Sequence, residues 1–177
     1  MPDFKDLDGP IEKLNRMPPD DRRASLLSCC GSTRWAEEVS GLLPMWDVGQ
    51  LLILGERVWR ELGREDWLEA FRAHPKIGER RAAAPAGEDA RRWSEGEQSR
   101  AREASPETLD ALAETNREYE EKFGFIFIVC ATGKTAGEML DALRERLKND
   151  AEAELRVAAA EQWRITELRV KKFLNVS

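Results

Sequence analysis

A single histidine, His74, occurs in the 177 residues, and it stands directly before a proline in RAHPKIGER (72–80). Proline fixes its own φ, lacks an N–H and pushes the preceding residue out of the helical region. The imidazole is therefore offered at a stiff helix end rather than along a helix face. Twenty residues further on, WSEGEQ (93–98) sets Glu97 three and Gln98 four residues after Ser94. On a helix these three side chains share one face. A hydroxyl, a carboxylate and an amide together suit the N–H and C=O edges of a small polar heterocycle. An imidazole beside a carboxylate is an acid–base device, so His74 with Glu97 is the pairing the residues offer. Each half also has a plainer alternative. A lone histidine is more often structural or exposed, and Ser and Glu at this spacing also make an ordinary capping box.

Two further segments put polar groups where apolar ones belong. At 100° per residue, Leu155, Ala158, Ala159, Ile165 and Phe173 define the inward stripe of the last helix. Gln162, Thr166 and Arg169 fall within that stripe, and Arg164 points away from it. An inward guanidinium needs a carboxylate, supplied either internally or by a ligand; the residues leave both open. In residues 106–123, Leu109, Leu112, Tyr119 and Phe123 share a face that Asn116 completes. A buried amide must be paired, with a nearby turn or with a ligand.

The elements that position these groups are helices. PDDRRASLLSCCG begins with a proline and two aspartates and ends in glycine. STRWAEEVSGLLP is a short helix stopped near Pro44. DVGQLLILGERVWREL places Val48, Leu51, Leu52, Val58, Trp59 and Leu62 on one face, and REDWLEAFRA runs into His74-Pro75. Ser105, Pro106 and Gly124 frame the next helix. Thr135 and Glu138 stand at capping-box spacing, and the last helix runs from near Asn149 to about Phe173. Residues 81–92 form a surface loop or weak helix. FIFIVCA (125–131) is strand-like, but one run cannot make a sheet. The expectation is one all-α domain over 1–177, with no sheet.

Composition narrows the function classes. Charged residues make up 35% against 41% apolar, and the net charge of −6 opposes a dominant nucleic-acid surface. No run is long enough to span a membrane. MPDFKDLDGP lacks the pattern of a secretory leader, so the expected location is the cytoplasm. Cys29, Cys30 and Cys130 have no ligand-like spacing and are expected as buried, reduced thiols. With one histidine and no CxxC, no metal site is expected.

LLSCCGSTRWA, HPKIG, SEGEQ, NREYEEKFGFIFIVCATGK and LRERLKND occur in an order and spacing that resembles the 2-oxo-4-hydroxy-4-carboxy-5-ureidoimidazoline (OHCU) decarboxylase family. The likeness runs from about Leu14 to about Val170. It implies an all-helical domain of about eight helices, a homodimer, no cofactor, and conversion of a urate-derived small molecule to (S)-allantoin. By the same resemblance His74 and Glu97 are catalytic. Pro75, Ser94, Glu95, Gly96, Glu97, Gln98 and Arg169 bind substrate, as do backbone groups of Phe127, Ile128, Val129, Cys130 and Ala131. Two departures are visible. Ile126 replaces a proline common in the family, and Leu43-Pro44-Met45 replaces an Arg-Pro-Phe near the pocket or the dimer contact. The competing readings are a non-catalytic helical interaction module, which gives no reason for the His74, Ser94, Glu97, Gln98 and Arg169 set, and a family member that has lost activity.

Overall fold

The computed structural model describes residues 9–76 and 104–176. Among them are eight helices: α1 Glu12–Asn15, α2 Pro19–Cys30, α3 Thr33–Gly41, α4 Val48–Glu61, α5 Arg64–Arg72, α6 Pro106–Phe123, α7 Ala136–Arg146 and α8 Ala151–Phe173. No strand occurs among the described residues, as the sequence led one to expect.

Local chemistry sets most of the boundaries. Ser32, Asp47, Ser105, Thr135 and Asp150 each accept a first-turn backbone N–H of the helix that follows, satisfying donors a helix start leaves open. The expected capping box is formed: Thr135 N–H donates to Glu138 at 2.7 Å and Glu138 N–H to Thr135 Oγ1 at 3.2 Å. Gly31 and Gly124 end α2 and α6 in the left-handed region, at φ 86 and 77°, where a side chain would be strained. The short α1 carried no such signature and was not anticipated. It sinks Ile11 and Leu14 into the core, and Asn15 clasps both backbone groups of Met45 at 2.8 and 3.0 Å.

The long α8 is the axis of the fold and packs against α2, α4, α5 and α6. Trp35, Trp59, Phe71 and Tyr119 are almost wholly buried beside it. The indoles bury without stranding their polar ends, because Trp59 donates to the Ala159 carbonyl at 2.8 Å and Trp35 to that of Gly55 at 2.9 Å. The expected inward stripe is in place: Leu155, Ala158, Ala159 and Ile165 are buried, while Arg164 is exposed and paired with Glu161 at 2.8 Å. Phe173 is only partly buried. On α6 the buried polar position is Thr115, bonded back to the Ala111 carbonyl at 2.7 Å. Asn116 is half-buried at the edge of that face. All three cysteines are buried, and none is in a disulfide among the described residues.

The run from Phe125 to Ala131 is the exception to helical order. It has no regular secondary structure, yet Phe125, Phe127, Ile128, Val129, Cys130 and Ala131 are all buried. Among the described residues, no helix is long and apolar enough to cross a membrane.

Candidate functional site

The site gathers where α2 ends, α5 ends and the C-terminal half of α8 passes between them. Helix α5 stops at Arg72, and His74 N–H reaches back to the Phe71 carbonyl at 3.1 Å, so the imidazole leaves from a helix end as its proline neighbour requires. Two contacts fix this end. Glu69 accepts from the Thr33 N–H at 3.0 Å and hydroxyl at 2.6 Å, tying α5 to the start of α3. Gly31 lies so close that a Cβ there would stand 2.8 Å from Ala73 Cβ. Beyond Pro75, Lys76 bridges to Glu120 of α6 at 2.7 Å. The histidine joint is thereby held from three helices.

The α8 side supplies the polar stripe. Gln162, Thr166 and Arg169 are buried, the first two completely. Gln162 Nε2 donates to the Cys30 carbonyl at 3.1 Å and to Thr166 Oγ1 at 3.3 Å, and the Thr166 hydroxyl donates to the Gln162 carbonyl at 3.0 Å. With the amide nitrogen thus committed, Gln162 Oε1 is the end turned elsewhere. It is buried without a hydrogen-bond partner among the described residues, and so is His74 Nε2. Unsatisfied buried polar atoms are uncommon in native proteins and call for an explanation; these two lie together, since the Gln162 side chain also acts on His74.

Electrostatics make the same point. Burial pushes His74 down to about 3, and the Arg169 guanidinium adds to the effect, while a Gln162 side-chain contact opposes it. The imidazole is consequently neutral at pH 7. Burial also pushes the Cys30 thiol up to about 12, against the smaller influences of Thr166, the Ser32 backbone and Arg169. At that value Cys30 is an inert wall rather than a nucleophile.

The Phe125–Ala131 run is fastened to these same helices. Phe125 packs on Phe71 with ring centroids 5.4 Å apart, and Cys130 N–H donates to Glu161 of α8 at 2.7 Å. The backbone stretch 127–131, expected to bind a ligand, thus meets α8 at Glu161. Its side chains are buried.

Of the residues the sequence singled out, His74, Pro75, Arg169 and Phe127–Ala131 attach to one region built on α5 and α8. Ser94, Glu95, Gly96, Glu97 and Gln98 lie outside the described residues, as does the 81–92 segment. Met45, the last residue of the Leu43-Pro44-Met45 departure, is a core residue clasped by Asn15. Sequence reasoning missed a second polar cluster, formed by Tyr119, Arg146, Asn149 and Glu154. Its one sequence signal was that Glu154 lies one residue from Leu155 on the inward side of α8.

Comparisons with known proteins bear on the family and the fold. A family model described as OHCU decarboxylase matches residues 15–171. The chain is 43% identical over 148 residues to the uric acid degradation bifunctional protein TTL of Arabidopsis thaliana, covering 83% of this chain and 45% of that protein. It therefore spans less than half the length of that relative. It is 27% identical over 163 residues to the 2-oxo-4-hydroxy-4-carboxy-5-ureidoimidazoline decarboxylase of Haloferax volcanii, covering 90% of this chain and 93% of the other. A crystal structure of OHCU decarboxylase in the presence of (S)-allantoin superposes with a TM-score of 0.74 at 40% identity, over 86% of this chain and 98% of that one. The extent of the family match and the helical architecture it shares with a solved member lead to one conclusion: the chain belongs to the OHCU decarboxylase family.

Proposed function

We propose that this chain decarboxylates OHCU to (S)-allantoin without a cofactor, using His74 and Glu97 as its acid–base pair. The observation that carries the reading is the neutral imidazole at the proline-stiffened end of α5, beside Arg169 and the turned-out Gln162 carbonyl. The substrate bears a carboxylate and a hydroxyl on one ring carbon, next to a C=N bond. When CO₂ leaves, the bonding pair moves toward that C=N, an internal electron sink of the kind cofactors otherwise provide. The product forms once the nitrogen left with that pair takes up a proton from solvent, the hydroxyl gives up its proton to become the ring carbonyl, and a proton arrives at the neighbouring, ureido-bearing carbon. His74 takes the first proton once substrate binding raises its proton affinity, and Glu97 shares in delivering the second. Delivery to one face sets the handedness.

Arg169, Pro75, Ser94, Glu95, Gly96, Gln98 and the backbone of Phe127–Ala131 hold the ring and its ureido arm. A substrate carboxylate beside Arg169 would also offset the positive field that depresses His74, so that binding itself tunes the base. The working form is taken as a cytoplasmic homodimer. Leu42, Trp46 and Ile53 are exposed along the α3–α4 side, Ile53 by 70%, an apolar surface that a second copy would cover. Light scattering on wild type and Ile53→Glu tests that contact.

The deciding experiment follows circular dichroism while urate is freshly oxidised by a separate enzyme. Wild type should speed the appearance of a single allantoin enantiomer, and folded His74→Ala should leave only the slow uncatalysed formation of both. Racemic product at the uncatalysed rate from wild type would refute the activity.

A further inference from the structure

Phe125–Ala131 poses a problem of support. Buried main-chain groups must be paired, yet this run has neither helix nor sheet to pair them. Charged side chains take the place of a neighbouring strand. The Ile128 carbonyl accepts from Arg146 Nη1 at 2.6 Å, the Cys130 N–H donates to Glu161 Oε2 at 2.7 Å, and the Cys130 carbonyl accepts from Lys134 Nζ at 2.8 Å. Arg146 is itself locked. Its Nε donates to Glu154 Oε1 at 2.7 Å, and its guanidinium lies over the Phe127 ring at 4.6 Å from the centroid. Glu154, wholly buried, also accepts from the Tyr119 hydroxyl and, at 2.8 Å, from Asn149.

The consequence comes from the planarity of the peptide unit. In a trans peptide the C=O of one residue and the N–H of the next point in opposite directions. Fixing the Ile128 carbonyl on Arg146 aims the Val129 N–H away from Arg146. Fixing the Cys130 N–H on Glu161 aims the Val129 carbonyl away from Glu161. Fixing the Cys130 carbonyl on Lys134 aims the Ala131 N–H away from Lys134. The three groups so aimed, a donor, an acceptor and a donor, have no hydrogen-bond partner among the described residues. They form an edge complementary to a cyclic urea or amide.

We propose that Arg146, Glu161 and Lys134 are positioning residues: by gripping the outer side of residues 128–130 they hold Val129 and Ala131 main-chain groups in the pose that binds the substrate's polar edge. This rests on the decarboxylase reading above and adds to it the residues that orient a backbone subsite they do not themselves line. Arg146 and Glu154 form the rigid end of the clamp, because their network is shielded from water. Glu161 is the adjustable end, shared with the exposed Arg164 at 2.8 Å.

Because a positioning defect loosens ligand binding before it touches proton transfer, the test is a split between KM and kcat. Glu161→Ala releases the Cys130 N–H and should raise KM roughly 5- to 10-fold, the worth of about one backbone hydrogen bond to the ligand, with kcat within about twofold. Glu161→Gln keeps a carbonyl acceptor and should restore most of the loss, a rescue that a general charge effect would not give. Arg146→Lys keeps a cation for Glu154 but loses the fork that also reaches Ile128, and should raise KM in the same way. If Arg146→Lys fails to fold, the Glu161 pair decides alone. An active wild type whose KM is unchanged in Glu161→Ala, or a Glu161→Gln variant as impaired as Glu161→Ala, overturns the clamp and leaves the decarboxylase reading standing. A wild type that neither turns over OHCU nor binds (S)-allantoin in calorimetry overturns both.

Discussion

Having one histidine makes the central electrostatic claim measurable without assignment. An unfolded chain titrates His74 near its ordinary value of 6.5, whereas burial followed by the Arg169 charge holds it near 3 in the fold. Between those values the unfolded state binds a proton that the folded state refuses. Stability is therefore unaffected above about pH 6.5 and falls as the pH drops toward 3. The limiting slope for one proton is about 1.4 kcal/mol per pH unit, which by pH 5 amounts to at most about 2 kcal/mol. The perturbation is His74→Ala, which removes the titration, and the assay is urea unfolding of both proteins at pH 7 and pH 5. Carboxylates titrate in both, so their contributions largely cancel in the difference. The stability gap between wild type and variant should change by up to about 2 kcal/mol against wild type on acidification. Nitrogen-detected NMR of the one imidazole should give a midpoint well below 6.5. Arg169→Met should raise that midpoint yet leave it depressed, since burial is the larger cause. A wild-type midpoint at or above 6.5, together with parallel pH dependences, would refute the reasoning.

Much of the architecture was legible because helix boundaries are written locally. Proline at the first turn, hydroxyl or carboxylate caps and terminal glycines each act within four residues, and the boundaries of α2, α6, α7 and α8 follow them. The inward phase of Gln162, Thr166 and Arg169 was legible for a similar reason: α8 is long enough for its apolar stripe to fix the angle of every other residue. On α6 the expected Asn116 is half-buried, and the buried polar position, Thr115, went unnoticed. Threonine satisfies its hydroxyl on its own helix, so it can be buried without a partner that sequence would reveal.

The clamp on residues 127–131 was not legible, and the reason is physical. Arg146, Asn149 and Glu154 sit among Arg144, Glu145, Lys148, Asp150 and Glu152, a charge-rich stretch that resembles an ordinary solvated surface. What distinguishes them is the turn between α7 and α8, which folds Glu154 inward under Tyr119. That is a tertiary event with no periodic trace. Likewise the apolar run 125–131 carries the composition of a strand, but its partners are side chains scattered from residue 134 to residue 161. No local pattern announces such pairing.

The remaining predictions use the same geometry. Gly31→Ala combines a left-handed φ of 86° with a Cβ 2.8 Å from that of Ala73; it should cost about 1–2 kcal/mol from the backbone alone and lower turnover by shifting His74. Gly41→Ala, with nothing within 4 Å of the new Cβ, should do neither, and melting temperature with kcat checks both. Tyr119→Phe removes a donor from the buried Glu154 carboxylate and should cost about 1.5–3 kcal/mol in urea unfolding; a stability equal to wild type would mean Glu154 is carried by Arg146 and Asn149 alone. Arg169 and Arg164 give the sharpest contrast, because one helix carries both with opposite exposure. If Arg169 grips the substrate carboxylate, Arg169→Met should raise KM by an amount equivalent to about 2–5 kcal/mol, the usual cost of truncating one side of a buried charge pair. Arg164→Met gives up only a surface ion pair, worth about 1 kcal/mol or less, and should leave KM within a few-fold of wild type. Equal effects of the two substitutions on KM would mean that the phase of α8 does not decide which arginine meets the substrate.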